Sequence, residues 1–278
     1  MRDAEPPAPV HYRIVRYHGP TAPRTMIISY QHQFIFLHCR KVAGSAMQIH
    51  LARHLGPDDI LLGTREDLDK HGIRQTRRFR RDVFSPTGLA FLGKRALRKP
   101  AVIAPGRLRD TLARVHKDVY NRRLSPYAGH APATHVRDFD PEAWDRFYKF
   151  CFVRNPYERA LSDYFWRIKA RDRDLTFHEF LQHIRDQRHT EPPESPRHDN
   201  WPIYTIDDAI AVDHVGRYEN LATDFANICE RIGIPAEGLP VAKKVMQKYD
   251  YHDYYGPAER SLVEQIYERE LAVFDYRF

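Results

Sequence analysis

The stretch that decides the fold is FIFLHCRKVAGSAM, residues 34–47. Its first four residues are apolar, which predicts a buried strand. After Ser45, the apolar residues Met47, Leu51 and Leu55 recur at helical spacing, which predicts a helix. A strand, a tight loop and a helix leave backbone N–H groups pointing outward, and the helix dipole adds to their attraction for an anion.

The loop itself contains the residue types that hold a phosphate-like group. Lys41 supplies a positive charge, Gly44 allows a close approach of the backbone, and Ser45 adds a hydroxyl donor. The order differs from the GxxxxGK[ST] loop of ATP-binding proteins, in which the lysine follows the glycines. By itself this loop is common among α/β proteins and does not identify a ligand.

A second stretch with the same plan is FVRNPYERALSDY, residues 152–164. It continues the apolar run YKFCFV, and Pro156 suits the first turn of a helix. Ser162 lies eight residues after Arg154, about two helical turns on, so the guanidinium fork and the hydroxyl can converge on a phosphate. The alternative is that Arg154 pairs with a local carboxylate such as Asp163 and that Ser162 is a surface residue.

Apolar strands alternate with helical patterns along the chain, which predicts an α/β fold with a mostly parallel sheet flanked by helices. Ligands of such sheets lie at the carboxyl ends of the strands, and both unusual loops follow strands directly. We expect a loose N-terminus over residues 1–10 and one domain over residues 11–278, with a basic insertion at about 74–123. Residues 256–276 predict a single C-terminal helix.

Length and composition indicate a globular chain. It has 278 residues, 42% of them apolar and 12% aromatic. We expect a cytoplasmic protein, because no apolar run is long enough to span a membrane and the first residues lack an apolar signal core. The cysteines are widely spaced and predict free thiols rather than a disulfide framework or a metal site. They are Cys39, Cys151 and Cys229.

The positive charge is concentrated in one part of the chain. The whole chain carries +7, whereas residues 74–123 contain fifteen Lys and Arg against three Asp, a local net charge of +12. Such an excess indicates an anionic partner or, alternatively, a solvated insertion.

Together, the two stretches resemble the paired cofactor-binding signatures of the sulfotransferases that use 3′-phosphoadenosine-5′-phosphosulfate (PAPS). In the carbohydrate O-sulfotransferase branch, which includes heparan 2-O and chondroitin enzymes and bacterial relatives, these commonly read HxPKxAGTS and RNPxxRxxSxY. The likeness covers residues 34–278 and includes RYEN at 217–220, which we interpret as a structural turn. Cys39 and Arg40 depart from the pattern, since the family usually has an apolar residue and proline there.

The resemblance implies a P-loop-kinase-like fold and a direct in-line transfer without a metal. Lys41 would neutralise charge on the leaving group, and Arg154 and Ser162 would hold the 3′-phosphate. The 5′-phosphosulfate would be held by the first loop and the start of its helix. The residues implied there are Lys41, Ala43, Gly44, Ser45 and Ala46.

The acceptor hydroxyl needs a general base, and histidine suits this task near neutral pH. His130 is the first candidate, because it follows a glycine in a predicted loop and because related carbohydrate enzymes place a catalytic histidine between the two cofactor loops. His135 is the second candidate. His38 is the third and could instead orient the cofactor.

We therefore expect a sulfotransferase that acts on a hydroxyl of a saccharide, polysaccharide or glycolipid, with no nucleic-acid partner. Two other functions remain open: a nucleotide-dependent kinase of related fold, and a non-enzymatic binder of an anionic polymer. A kinase needs a Walker-type lysine and a magnesium ligand, and a binder has no need of paired loops. Four arginines of the basic stretch are candidates for binding an anionic acceptor: Arg77, Arg78, Arg80 and Arg81. Alternatively, the basic stretch could form a lid.

Overall fold

The computed structural model describes residues 26–63, 65–124, 128–169, 175–187, 198–236 and 250–278. The expected loose segment, residues 1–10, lies outside these ranges. The strands, in chain order, are β1 (Met26–Ser29), β2 (Phe34–Leu37), β3 (Ile60–Leu62), β4 (Tyr148–Val153), β5 (Thr205–Ile206), β6 (Ala209–Ile210) and β7 (His214–Arg217).

Five of these strands form the central sheet in the order β3-β1-β2-β4-β7, while β5 and β6 form a separate pair. β2 pairs with β4 and β4 pairs with β7 in parallel. β1 is antiparallel to both of its neighbours, β2 and β3, so β1 alone runs against the other four strands of this sheet. The predicted α/β fold with a mostly parallel sheet is confirmed.

Helices surround the sheet and make up most of the remaining described chain. Those before β4 are α1 (Gly44–Ala52), α2 (Arg65–Lys70), α3 (Arg77–Val83), α4 (Pro86–Arg98), α5 (Pro105–Leu124), α6 (Ala133–Phe139) and α7 (Pro141–Arg146). Those after β4 are α8 (Pro156–Lys169), α9 (Phe177–Gln187), α10 (Trp201–Tyr204), α11 (Leu221–Ile232), α12 (Pro257–Ile266) and α13 (Glu268–Phe274). Short 3₁₀ helices cover Pro100–Ile103, Ala128–His130, Tyr218–Asn220 and Tyr251–Tyr254. Within the described ranges, no helix combines the length and apolarity needed to cross a bilayer.

The pairing of β2 with β4 explains how the two unusual loops meet. Every residue of β2 is buried, as are five of the six residues of β4, which is typical of parallel strands covered on both faces. Phe36 pairs with Phe150 in register, so both strands end at the same edge of the sheet. The loops that follow them therefore lie side by side, as the sequence predicts.

The basic stretch is helical and is interrupted where proline and glycine predict breaks. Ser85 caps α4 by accepting a hydrogen bond from the Gly88 amide at 3.1 Å. Residues 99–104 separate α4 from α5. The C-terminal segment differs from the prediction, because it forms two helices that meet at Tyr267 rather than one. The second of them turns Glu270 into the interior.

A buried ion pair attaches this second helix, α13, to α8. Both nitrogens at the tip of Arg159 donate to the Glu270 carboxylate, one of them at 2.8 Å. The Tyr204 hydroxyl donates to the same carboxylate at 2.9 Å. Arg159 and Glu270 are each only 3% exposed. Removing one partner of such a pair leaves an uncompensated charge in the interior.

We expect Glu270→Ala to lower the free energy of unfolding by about 3–5 kcal/mol, because it leaves the Arg159 guanidinium buried without its carboxylate. Urea unfolding followed by circular dichroism measures the change. Glu268→Ala is the matched control: Glu268 is an exposed glutamate on the same helix, and its removal should change stability by less than about 0.5 kcal/mol. Equal effects of the two variants would contradict the role assigned to the ion pair.

Candidate functional site

The first loop links β2 to α1 and holds two non-glycine residues in the left-handed region. Lys41 has φ 65° and Ala43 has φ 60°, a conformation that side chains other than glycine seldom adopt. Ala43 is the N-cap of α1 and offers no side-chain cap to it. Lys41, Ala43 and Ser45 are partly exposed, whereas Val42 and Gly44 are buried. The strained loop therefore turns its lysine, its serine and the start of a helix outward.

Gly44 is required by a contact within the chain. A Cβ at this position would lie 1.6 Å from Nε2 of His38, so only glycine leaves room for the imidazole. The His38 ring is 5% exposed and stacks on Phe36 with centroids 5.8 Å apart. Burial, together with the positive charge of Arg40, lowers the pKa of His38 to about 3, so His38 is neutral at physiological pH. The sequence pattern predicted the glycine but not this reason for it.

His130 ends the 3₁₀ helix Ala128–His130 and lies beside the first loop. Its ring is 4.9 Å from that of His38, and its Nδ1 is 2.7 Å from the His38 carbonyl oxygen. Because a carbonyl only accepts, Nδ1 carries the hydrogen and donates it. A neutral His130 therefore has its lone pair on Nε2, which is the tautomer that a general base needs there.

The second loop begins with Arg154, whose side chain is 5% exposed and held from several sides. Its Nε and Nη2 donate to Glu158 at 3.0 and 2.8 Å, and its Nη1 approaches the Lys41 carbonyl oxygen at 3.4 Å. The structure thus brings the two loops into contact through Arg154. Arg154 thus pairs with a local carboxylate, as the alternative interpretation expected, but the partner is Glu158 rather than Asp163.

Ser162 is half-buried on α8, one turn beyond Glu158 on the same face of the helix. Because Glu158 holds the Arg154 guanidinium, the serine hydroxyl and that guanidinium belong to one side of α8. His135, the second candidate base, is partly exposed on α6, and its Nδ1 is buried without a hydrogen bond in the described chain.

The segment RYEN supports the second loop, a role that sequence reasoning missed. The Tyr218 ring lies 4.1 Å from the Arg154 guanidinium. The Glu219 carboxylate accepts hydrogen bonds from the Asn155 backbone N–H at 2.6 Å and from the Tyr276 hydroxyl at 3.0 Å. These contacts fix the direction in which the chain continues after β4. The sequence could have indicated this role through position alone, because the segment also lies at the end of a strand, β7, and β7 neighbours β4.

Arg40, which departs from the family pattern, is clamped by residues 199–200. Its backbone N–H donates to the Asn200 side chain at 2.9 Å, and the Asn200 amide donates back to its carbonyl at 3.1 Å. Its Nη1 donates to the Asp199 carbonyl at 3.1 Å. Burial lowers the pKa of the Arg40 guanidinium to about 10. Cys39 is fully buried in the core, so both residues fix the loop from inside.

A small open cleft lies between the first loop, α8 and residues 198–200. Asp163 is its acidic member and pairs with Arg167 at 3.0 Å and with His198 at 3.2 Å. Burial alone would raise the pKa of Asp163. The charge of Arg167, the hydrogen bond with His198 and the charge of Lys41 outweigh burial and hold that pKa well below its usual range. The cleft is lined by Arg40, Lys41, Arg159, Asp163, His198, Asn200 and Tyr267.

Two of the four arginines predicted to bind an acceptor have partners elsewhere. Arg78 lies 5.3 Å from the Tyr30 ring and donates to the Asp58 carbonyl at 3.3 Å, while Arg81 pairs with the Asp58 carboxylate at 3.1 Å. Asp58 lies just before β3. It is therefore at the end of the sheet where β2 begins, which is opposite to the end where the two loops leave.

Arg77 and Arg80 are exposed on the same short helix, α3. The structure therefore does not bring this arginine group, Arg77 to Arg81, to the two loops. Their expected contact with the acceptor has no support from the geometry, because α3 packs beside β3 at the distant edge of the sheet. Within the described ranges, no group of three His, Cys, Asp or Glu side chains is placed to hold a metal ion.

The chain is similar to several known proteins. A model of the Sulfotransferase family matches residues 24–277, which is most of the chain. Carbohydrate sulfotransferase 14 from Danio rerio is 33% identical over 117 residues, which cover 32% of this chain and 31% of that protein. The chain thus matches about a third of the length of that relative.

Two further proteins are similar. An uncharacterized protein from Archaeoglobus fulgidus is 31% identical over 113 residues, covering 38% of this chain and 85% of that protein. The crystal structure of a sulfotransferase from Alicyclobacillus acidocaldarius aligns with 88% of this chain and 96% of its own at 15% identity, with a TM-score of 0.42. The match of the family model over residues 24–277 confirms the resemblance seen in the two loops, and the chain belongs to the sulfotransferase family.

Proposed function

We propose that this sulfotransferase moves the sulfuryl group of PAPS to a hydroxyl of a saccharide acceptor, with His130 as the general base. The observation that carries the proposal is the meeting of three elements at one edge of the sheet. Arg154 reaches the carbonyl of Lys41, and His130 donates to the carbonyl of His38 in the same loop. The two loops proposed to bind the cofactor and a histidine of fixed tautomer thus lie together.

The first loop fits the phosphosulfate end of PAPS. The start of α1 lacks a side-chain cap, and Lys41 and Ala43 adopt the left-handed backbone conformation that is typical of backbone anion sites. The Ala46 N–H donates to the Ala43 carbonyl at 2.9 Å, so it is the least available of the predicted amides. The predicted holders, Lys41 with the amides of residues 43–46, all belong to this loop and to the first turn of α1. When bound, PAPS would supply an activated sulfuryl group on a phosphate leaving group, and Lys41 would neutralise the charge that develops there.

Arg154 and Ser162 fit the 3′-phosphate end of the same molecule. A buried guanidinium held against Glu158 and the Tyr218 ring is fixed in direction, which lowers the entropic cost of holding a phosphate. Ser162 adds a hydroxyl on the same side of α8. One doubly phosphorylated nucleotide would account for both loops, whereas a triphosphate would leave the second without a task.

His130 would take the proton of the acceptor hydroxyl on Nε2 as the oxygen attacks sulfur. The hydrogen bond from Nδ1 to the His38 carbonyl holds the ring in the required tautomer and stabilises the imidazolium that results. The buried, neutral His38 places no second positive charge beside it. A saccharide acceptor is supported by the similarity to carbohydrate sulfotransferase 14.

The two phosphate sites can be separated by comparing adenosine 3′,5′-bisphosphate with AMP. We expect the bisphosphate to bind more tightly than AMP or ATP. Arg154→Ala should weaken the bisphosphate by about 30–150-fold and AMP little, since a hydrogen-bonded charge contributes about 2–3 kcal/mol. Lys41→Ala should weaken both ligands, because both carry the 5′-phosphate. Isothermal titration calorimetry measures the dissociation constants for the unchanged chain and for each variant.

Arg146→Ala provides the control, because Arg146 is an exposed arginine paired with Glu142 on α7. It should leave all affinities unchanged. Thermal unfolding of each variant tests whether the fold is retained. Equal weakening of the bisphosphate and AMP by Arg154→Ala would remove the 3′-phosphate from this position, and preferential binding of ATP would favour a kinase.

We expect His130→Ala to lower kcat by about 10²–10⁴-fold while leaving the affinity for adenosine 3′,5′-bisphosphate unchanged. His130→Asn separates base from scaffold, because the asparagine amide can still donate to the His38 carbonyl but cannot accept a proton at the position of Nε2. Transfer of labelled sulfate from PAPS to desulfated glycosaminoglycans and glycolipids measures turnover.

His135→Ala is the control and should retain turnover. If His130→Asn restores activity, the role of His130 is structural rather than catalytic. Near-normal turnover in His130→Ala would overturn the assignment altogether. Loss of turnover together with loss of bisphosphate binding would instead indicate that the loop had collapsed.

A further inference from the structure

The exposed apolar side chains of this protein are concentrated in the basic insertion. Seven large apolar residues are substantially exposed in the described chain, and five of them lie between residues 84 and 108. Scattered single apolar residues are normal on a protein surface, whereas a cluster marks a contact surface. The five are Phe84, Leu89, Leu97, Ile103 and Leu108.

The arrangement on α4 is that of an amphipathic helix turned outward. Leu89, Gly93 and Leu97 follow one another at intervals of four residues on the exposed side, and Leu97 is 87% exposed. Lys94 and Arg98 are exposed along the flank of this stripe. The opposite side of α4 packs on α5. The apolar stripe therefore faces away from the protein and is bordered by positive charge.

The connection into α5 carries two further exposed apolar residues. Ile103 is 50% exposed and Leu108 is 36% exposed, on either side of the turn into α5. The hairpin is held closed by Arg95, which donates to Asp118 at 2.5 Å, and by Thr111, which donates to the Val102 carbonyl at 2.7 Å. The apolar residues are thus presented by an ordered scaffold.

The charge around these residues is strongly positive. Residues 84–114 contain seven Lys and Arg and a single acidic residue, Asp110. Arg98 and Lys99 follow Leu97 directly at the end of α4, and Arg107 and Arg109 flank Leu108 in the first turns of α5. All four cations are exposed. Apolar side chains surrounded by basic ones match a bilayer with anionic headgroups, whose surface attracts the charges and whose acyl boundary accepts the apolar groups.

We propose that the α4–α5 hairpin is a membrane-surface contact that inserts Leu97, Ile103 and Leu108 among anionic lipids. A polyanion in water would use the arginines and lysines but would gain little from three exposed aliphatic side chains. This contact is separate from the proposed transfer of sulfate, because none of its residues belongs to the two loops or to His130.

Flotation of the full chain with lipid vesicles tests the contact. We expect binding to vesicles of phosphatidylcholine and phosphatidylglycerol, weaker binding at high salt, and little binding to phosphatidylcholine alone. Leu97→Glu combined with Ile103→Glu should reduce the affinity for the mixed vesicles by about tenfold or more, since it replaces insertion with charge repulsion. Arg98→Glu should have an effect of similar size.

Two exposed positions outside the hairpin serve as matched controls. Val273→Glu matches the apolar substitutions, because Val273 is 52% exposed on α13, and Lys70→Glu matches the charge reversal. Both should bind vesicles as the unchanged chain does. Binding of bisphosphate should be the same in all variants, so failure of this contact is distinct from failure of the proposed reaction.

Three results would overturn the proposal. The first is no binding to the mixed vesicles. The second is binding to mixed vesicles that is not reduced by Leu97→Glu with Ile103→Glu. The same conclusion would follow if the chain bound the polyanion heparin instead of vesicles and the double substitution left that binding unchanged. The third is a dimer, seen by light scattering, that these substitutions dissociate, because the hairpin would then contact a second copy of the chain.

Discussion

The parallel pairing of β2 with β4 is the constraint from which the site follows. Both strands are buried, and their register fixes where each one ends. The loops that leave them have no freedom to separate, and Arg154 closes the remaining gap by reaching the Lys41 carbonyl. β7, parallel to β4 on its other side, then delivers Tyr218 and Glu219 to the same edge. The site is thus built by strand order, and its side chains come from segments that are distant in the sequence.

His38 connects the core to the chemistry proposed for the site. Its ring occupies the space above Gly44, and its carbonyl fixes the tautomer of His130. Burial beside Arg40 keeps the ring neutral, since protonation there would place two positive charges in a poorly solvated region. This arrangement leaves Lys41, rather than a histidine, as the cation nearest the proposed leaving group. His38, the third candidate base, therefore acts on Gly44 through packing and on His130 through one hydrogen bond.

The sequence predicted the parts of this site that depend on local pattern. The strands before each loop, the helices after them and the paired motifs are all short-range features, and the structure has them at the expected positions. The clamp of Arg40 by Asn200 spans 160 residues, and no local pattern indicates it. The pairing of Arg154 was within reach of the sequence, because Glu158 lies four residues on, at the spacing that favours an ion pair on a helix. The break in the C-terminal helix at Tyr267 was not within reach of the sequence, because it accompanies the burial of Glu270 against the distant Arg159.

The positive charge of the chain serves two different environments, and the placement of carboxylates distinguishes them. At the proposed transfer site, Arg154 is buried and held by Glu158, so its guanidinium is directed and suited to a small ligand of fixed shape. On the α4–α5 hairpin the cations are exposed, carboxylates are scarce and aliphatic side chains stand among them. Exposed cations suit a surface that is extended and variable in composition. The high net charge therefore does not describe a single basic patch. Arg78 and Arg81, which precede the hairpin in the sequence, instead make contacts at the far edge of the sheet.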